Sequence, residues 1–212
     1  MATARQATPD APSIKVAGRA ESHRVAACNG AAYARAMTQA SRPAVFLDRD
    51  GVLIVDSGYP HRDEDLVLIP GAAEAMAAIN AVGALAVVVT NQSGVARGLF
   101  SLERMEAFNA LLVERLAAAG GRIDAVYACP FHTDAVDARF RHPDHPDRKP
   151  NPGMILRAAE DHGIDLSRSL LIGDRDSDLE AARRAGIPGH LFPGGDLSTF
   201  VRPLIASHFV TR

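Results

Sequence analysis

Four short apolar runs constrain this chain more than any other feature, because each one stops at residues suited to chemistry. They are Ala44-Val-Phe-Leu-Asp48, residues 84–90 (Ala-Leu-Ala-Val-Val-Val-Thr), residues 124–128 and Ser169-Leu-Leu-Ile-Gly173. They lack the apolar–polar alternation of a strand with one wet face, so they read as strands buried on both sides. The stretches 71–82, 101–119, 152–162 and 177–186 between and after them are amphipathic at helical spacing. Strands alternating with helices imply an α/β fold with a parallel sheet sandwiched by helices. Such sheets bind ligands at the carboxyl ends of their strands. Beyond residue 186, the Gly/Pro pairs of Ile187–Gly195 mark loops flanking a short strand, and 196–207 is a candidate closing helix that Ser198 and Thr199 support only weakly.

The strand ends carry the candidate site. The first continues as Phe46-Leu-Asp-Arg-Asp-Gly-Val52. Asp48 and Asp50 at i and i+2 can share one site, one as a nucleophile toward phosphorus and the other as a proton donor and acceptor; a turn with two solvated aspartates is the alternative. Thr90-Asn91-Gln92-Ser93-Gly94 after the second strand offers hydroxyls and amides for phosphate oxygens, or is an ordinary polar loop. The chain has 21 arginines and two lysines, Lys15 and Lys149. A lysine in Arg148-Lys149-Pro150 therefore suggests a site that needs a compact ammonium. The fourth strand ends Gly173-Asp174-Arg-Asp-Ser-Asp178, where Asp174 with Asp48 can hold Mg²⁺ through oxygen ligands. Asp178 is accounted for by the N-terminus of the following helix.

In this order the motifs resemble the haloacid-dehalogenase (HAD) superfamily of phosphatases, over about residues 43–195. The runs Phe46–Val52, Gly58-Tyr-Pro-His61, Val89–Gly98, Arg148–Met154 and Ile172-Gly-Asp174 resemble the subgroup of heptose bisphosphate phosphatases and histidinol-phosphatase domains. The resemblance implies a Rossmann-like fold without a large cap domain, the loops 52–66 and 129–147 shaping the substrate site instead. It implies Asp48 as nucleophile, Asp50 as general acid/base, and Thr90 and Lys149 on the phosphoryl group. Mg²⁺ would be held by Asp48, the Asp50 backbone carbonyl and Asp174. Asn91, Gln92, Ser93, Arg97, Arg148 and His61 are candidate substrate contacts, the arginines for a second phosphate or the sugar. The expected reaction is hydrolysis of the 7-phosphate of a heptose bisphosphate, with histidinol phosphate as the alternative substrate.

That subgroup usually carries a zinc loop, Cys-x-His followed by Cys-x-Cys before Arg-Lys-Pro. Here only Cys129 keeps its place; Phe131, His145 and Asp147 occupy the other three. Cys129, His132, His142 and His145 can still compose a Cys-His₃ zinc site, with Asp147 as a substitute ligand; a metal-free loop is the alternative.

Residues 1–42 contain no leucine and one isoleucine, Ile14, and show no hydrophobic periodicity. They read as a flexible tail ahead of a domain spanning 43–212, and Met37 is an alternative start. With no secretory apolar core, no run near the ~20 residues of a membrane span and only two cysteines, Cys28 and Cys129, a cytoplasmic location is expected. The formal net charge is −2, the sum of +4 over 1–42 and −6 over 43–212. An acidic domain disfavours a nucleic-acid 3′-phosphatase, which needs a basic groove. The filled catalytic positions disfavour a non-catalytic phosphosugar-binding relative. The expected partner is a small phosphorylated sugar, with no nucleic acid and no membrane; the oligomeric state stays open, a monomer included.

Overall fold

The computed structural model describes residues 13–16 and 41–209. Its centre is a six-stranded, fully parallel sheet in the order β1-β4-β3-β2-β5-β6. The strands are β1 (Ser13–Val16), β2 (Ala44–Leu47), β3 (Leu85–Asn91), β4 (Ala125–Cys129), β5 (Leu170–Gly173) and β6 (Gly189–Leu191). The helices are α1 (Ala72–Ala81), α2 (Ser93–Ala96), α3 (Leu102–Ala118), α4 (Gly153–His162), α5 (Asp176–Ala185) and α6 (Leu197–Phe209).

Both faces of the sheet are covered, which is why its strands are continuously apolar. Val45 and Leu47 of β2 face Met76 and Ile79 of α1, Phe108, Leu112 and Leu116 of α3, and Val201 and Ile205 of α6 in one core. Ala44 and Phe46 face the opposite way, toward Met154, Ile155 and Ala158 of α4 and Ala181 and Ala182 of α5. Helix limits follow local chemistry. The Ser101 hydroxyl accepts from the Arg104 amide at the start of α3. Gly163 and Gly186 adopt left-handed φ at the ends of α4 and α5. The closing helix forms despite Pro203 within it, and the Asp196 carboxylate accepts from the Thr199 amide in its first turn.

One element departs from the sequence expectation. Ser13–Val16 lies within the segment read as a tail, yet it pairs in register with Ala125–Ala128 as an edge strand. Val16 is buried against Val95, Met105 and Ala128. An edge strand needs only one neighbour, so four residues with two aliphatic side chains suffice. Residues 1–12 and 17–40 of the expected tail, with Cys28 and Met37, lie outside the described residues.

β2 is the pivot of the fold. From it the chain builds β3 and β4 on one side and β5 and β6 on the other, so the carboxyl ends of β2, β3 and β5 converge where a ligand crevice forms in open parallel sheets. The connections from β2 to α1 and from β4 to α4 run as loops, each with a single 3-10 turn, Asp63–Asp65 and Ala138–Phe140. Among the described residues, no inserted domain covers this edge of the sheet, and no helix is long and apolar enough to cross a membrane.

Candidate active site

The converging strand ends enclose a cleft of about 370 Å³, lined among others by Asp48, Asp50, Thr90, Arg148 and Lys149. Asp48 follows β2 directly, and its amide donates to the Ile172 carbonyl of β5 at 3.0 Å. Lys149, 4% exposed, arrives from the loop after β4. Its ammonium lies 2.9 Å from Asp48 Oδ1 and 2.6 Å from Asp178 Oδ1. It also donates to the Val89 carbonyl at 2.8 Å. Burial works against the ammonium, but Asp48 and Asp178 together outweigh it and raise its pKa.

Asp178 is the residue that sequence reasoning placed too simply. It does act at the helix terminus, accepting from the Arg175 amide at 3.1 Å, but it is also fully buried and paired with Lys149. Gly173 makes that position reachable: a Cβ there would lie 2.2 Å from Asp178 Cβ. The available signal was spacing, since an aspartate four residues beyond Asp174 returns to the same strand end.

Asp50 is held from behind by a wholly buried arginine, Arg49, which the motif analysis passed over. Arg49 Nε and Nη2 donate to the two Asp50 carboxylate oxygens at 2.7 and 3.1 Å, a bidentate pair. The guanidinium also donates to Asn109 Oδ1, Gln92 Oε1 and the Pro60 carbonyl and lies over the Phe108 ring. Gln92 Nε2 completes the frame by donating to Asp50 Oδ2 and Thr90 Oγ1.

The other sequence candidates divide into those facing the cleft and those turned away. Thr90, Asn91, Gln92, Ser93 and Arg148 line it. The Asn91 amide is already used at both ends, donating to the Lys149 carbonyl and accepting from the Lys149 amide. Arg97 is not a lining residue; its Nη2 sits 3.2 Å from His132 Nε2. His61 is not one either, being stacked on Phe100 with its Nδ1 2.8 Å from the Tyr59 carbonyl. Both are engaged with neighbouring loop residues rather than at the cleft. Arg175, paired with Asp56 at 2.7 Å, lines the cleft and was missed.

Of the two readings of the 129–147 loop, the structure does not support the zinc site, although Cys129 Sγ lies 4.0 Å from His145 Nδ1. Cys129, His132, His142 and His145 do not converge on a common point; among the described residues the one metal-competent cluster is Asp48, Asp174 and Asp178. The Nδ1 atoms of His132, His142 and His145 accept from the amides of Asp134, Asp144 and Asp147. His145 stacks flat on Phe131, the residue in place of a ligand. Burial pushes the Cys129 thiol up to about 11.

With this geometry established, relatives decide the family. A model described as HAD-hydrolase-like matches residues 147–199. The D-glycero-beta-D-manno-heptose-1,7-bisphosphate 7-phosphatase of Rhodopseudomonas palustris is 45% identical over 165 residues, 77% of this chain and 91% of that protein. The chain belongs to the HAD-like heptose bisphosphate phosphatases. Another family member, the D-glycero-D-manno-heptose-1,7-bisphosphate 7-phosphatase of Thermosynechococcus vestitus, is 46% identical over 73% of this chain and 80% of its own. The crystal structure of D,D-heptose 1,7-bisphosphate phosphatase from B. bronchiseptica complexed with magnesium and phosphate matches with a TM-score of 0.65 at 30% identity, covering 78% of this chain and 99% of that one.

HAD phosphatases use Mg²⁺, and the acidic cluster here fits that ion. Asp48, Asp174 and Asp178 each offer an oxygen, all within 4.8 Å of one another. Asp174 Oδ1 is buried with no hydrogen-bond partner, which an unneutralised site leaves costly. Gly51, at φ 82°, lets the turn press against Asp174; a Cβ would stand 2.3 Å from its Oδ2. Burial is the leading cause that raises both the Asp48 and the Asp174 carboxyls, the direction expected where carboxylates outnumber the one ammonium.

Proposed function

We propose that the protein removes the 7-phosphate of D-glycero-D-manno-heptose 1,7-bisphosphate through an aspartyl-phosphate on Asp48. The observation that carries this reading is the pairing, at the head of one cleft, of an Asp48 carboxylate beside Lys149 with an Asp50 carboxylate held at a fixed angle by Arg49 and Gln92. The substrate follows from the relatives, whose names specify heptose bisphosphate.

In the first step an Asp48 oxygen forms a bond to phosphorus as the bond to the sugar oxygen breaks, and Asp50 gives that oxygen a proton. In the second, Asp50 takes a proton from water, the water oxygen attacks phosphorus, and the phosphorus–Asp48 bond breaks to free phosphate. Lys149 supplies positive charge where the phosphoryl oxygens gather. Thr90 Oγ1 accepts from Gln92, so its own proton is free to donate to a phosphoryl oxygen. Asn91 positions Lys149, and Gln92 positions Asp50. Asp48, Asp174 and the Asp50 carbonyl would hold Mg²⁺, which when bound neutralises charge on the transferring group. Arg148, with Arg175 also lining the cleft, is assigned to the second phosphate and the sugar. Phosphate-monoester hydrolysis requires accelerations of up to ~10²¹, and a covalent route with preorganised donors suits that demand. The cytoplasmic assignment belongs to the same proposal and rests on the sparse cysteines.

A hydrolysis panel with Mg²⁺ tests the substrate. Heptose 1,7-bisphosphate should exceed histidinol phosphate in kcat/KM by about 100-fold or more, and ³¹P NMR should show the 1-phosphate retained. Faster hydrolysis of histidinol phosphate, or loss of the 1-phosphate first, would overturn it.

A further inference from the structure

The loop from Cys129 to Asp147 is held by stacked rings and hydrogen bonds, and what holds it also touches both ends of Arg148. The Phe131 and His145 rings lie face to face, 4.0 Å apart at 8°, and His142 meets each of them edge-on. Phe131 packs in turn against the core beneath β3 and β4. The Phe131 carbonyl accepts from Arg148 Nη1 at 3.0 Å, while the His145 carbonyl accepts from the Arg148 backbone amide at 2.9 Å. His145 is fixed by the Asp147 amide on its Nδ1. The Asp147 carboxylate pairs with Arg157 of α4 at 2.7 Å.

We infer that the Phe131–His145 stack is a metal-free clamp that sets the Arg148 guanidinium in the cleft, making Phe131 and His145 positioning residues for substrate recognition. The inference rests on the assignment of Arg148 to the substrate's second anionic group. A stack of two planar rings fixes the two carbonyls relative to each other, and those carbonyls hold the backbone and the side chain of one arginine. Rigid placement of a guanidinium matters because its fork recognises phosphate only over a narrow range of angles. The effect should stop at Arg148. The neighbouring Lys149 is secured separately by the two hydrogen bonds from Asn91 and by the Val89 carbonyl, so binding should weaken while the chemical step is spared.

The test is a double-mutant cycle in the Mg²⁺-loaded full chain, read as KM and kcat for heptose 1,7-bisphosphate. Phe131→Ala should raise KM about tenfold and leave kcat within about twofold. Arg148→Ala should raise KM at least as far, and the double variant should be no worse than Arg148→Ala alone, since both remove the same interaction. His145→Phe keeps the ring stack but deletes this residue's two ring nitrogens and its bond from the Asp147 amide, so its KM should rise clearly less than that of Phe131→Ala. Phe131→Tyr should restore the parent KM and, with circular dichroism, guards against misfolding. Additive losses in the double variant, or an unchanged KM in Phe131→Ala beside a raised one in Arg148→Ala, would overturn the clamp. So would stoichiometric zinc in protein purified without chelator that His145→Phe releases. An unchanged KM in Arg148→Ala would remove the assignment of Arg148 itself, and the clamp with it.

Discussion

Replacing Arg49 with methionine isolates the buried frame behind Asp50. The substitution keeps an unbranched stem over the Phe108 ring and deletes five hydrogen bonds, two to Asp50 and one each to Asn109, Gln92 and the Pro60 carbonyl. Asn109 Oδ1 and Gln92 Oε1 become buried acceptors without that donor, at about 1–3 kcal/mol each. Breaking a buried ion pair from one side costs roughly 3–5 kcal/mol. The Asp50 side chain is 17% exposed, so cleft water reclaims part of that cost, and the buried methionine returns about 1 kcal/mol. A net loss of at least about 3 kcal/mol remains, which in a domain of this size lowers Tm by roughly 6 °C or more. Asp50 keeps only Gln92 as a partner, so kcat should fall at least about 100-fold, the lower end of what a positioned acid/base group contributes. Arg49→Lys should fare little better in kcat, because an ammonium cannot reproduce the fork. The assays are thermal unfolding and steady-state phosphate release. A Tm within about 2 °C of the parent, or a kcat within about threefold, would refute the frame.

Two further outcomes follow from packing. Gly173→Ala forces a methyl to 2.2 Å from Asp178 Cβ; it should cost about 1–3 kcal/mol and reduce turnover by displacing the partner of Lys149, and parental activity would show that the contact yields freely. Cys129 is fully buried with its thiol pushed up to about 11. In a Cys28→Ser background, the native protein at pH 8 should therefore resist Ellman's reagent until guanidinium exposes the thiol, and rapid native labelling would contradict the burial.

The parallel α/β architecture was legible because buried strands must be continuously apolar. All four runs became strands, and the helical stretches matched α1, α3, α4 and α5 to within a residue or two. The Asp48, Asp50, Thr90, Lys149 and Asp174 constellation was legible because parallel sheets expose their carboxyl ends together. What stayed hidden depends on tertiary neighbours. β1 has little intrinsic signal and exists because β4 offers it a free edge. Arg49 sits between two conspicuous aspartates, and nothing local distinguishes a buried arginine from a solvated one. Asp178 satisfied a helix-terminus rule so well that its second partner went unseen. The histidine spacing in 129–147 suggested zinc, but backbone amides two residues on occupy the Nδ1 atoms and an aromatic ring fills the ligand position. His61 and Arg97 carried motif positions whose side chains turn to other loop residues, Tyr59 and His132.

The central claim is that Asp48 becomes phosphorylated during turnover. Rapid acid quench of the Mg²⁺-loaded protein with heptose bisphosphate labelled with ³²P at position 7, followed by peptide mapping, tests it directly. The account predicts hydroxylamine-labile label on the peptide containing Asp48, and none in Asp48→Asn. Label on another residue, or turnover that survives Asp48→Asn, would contradict it.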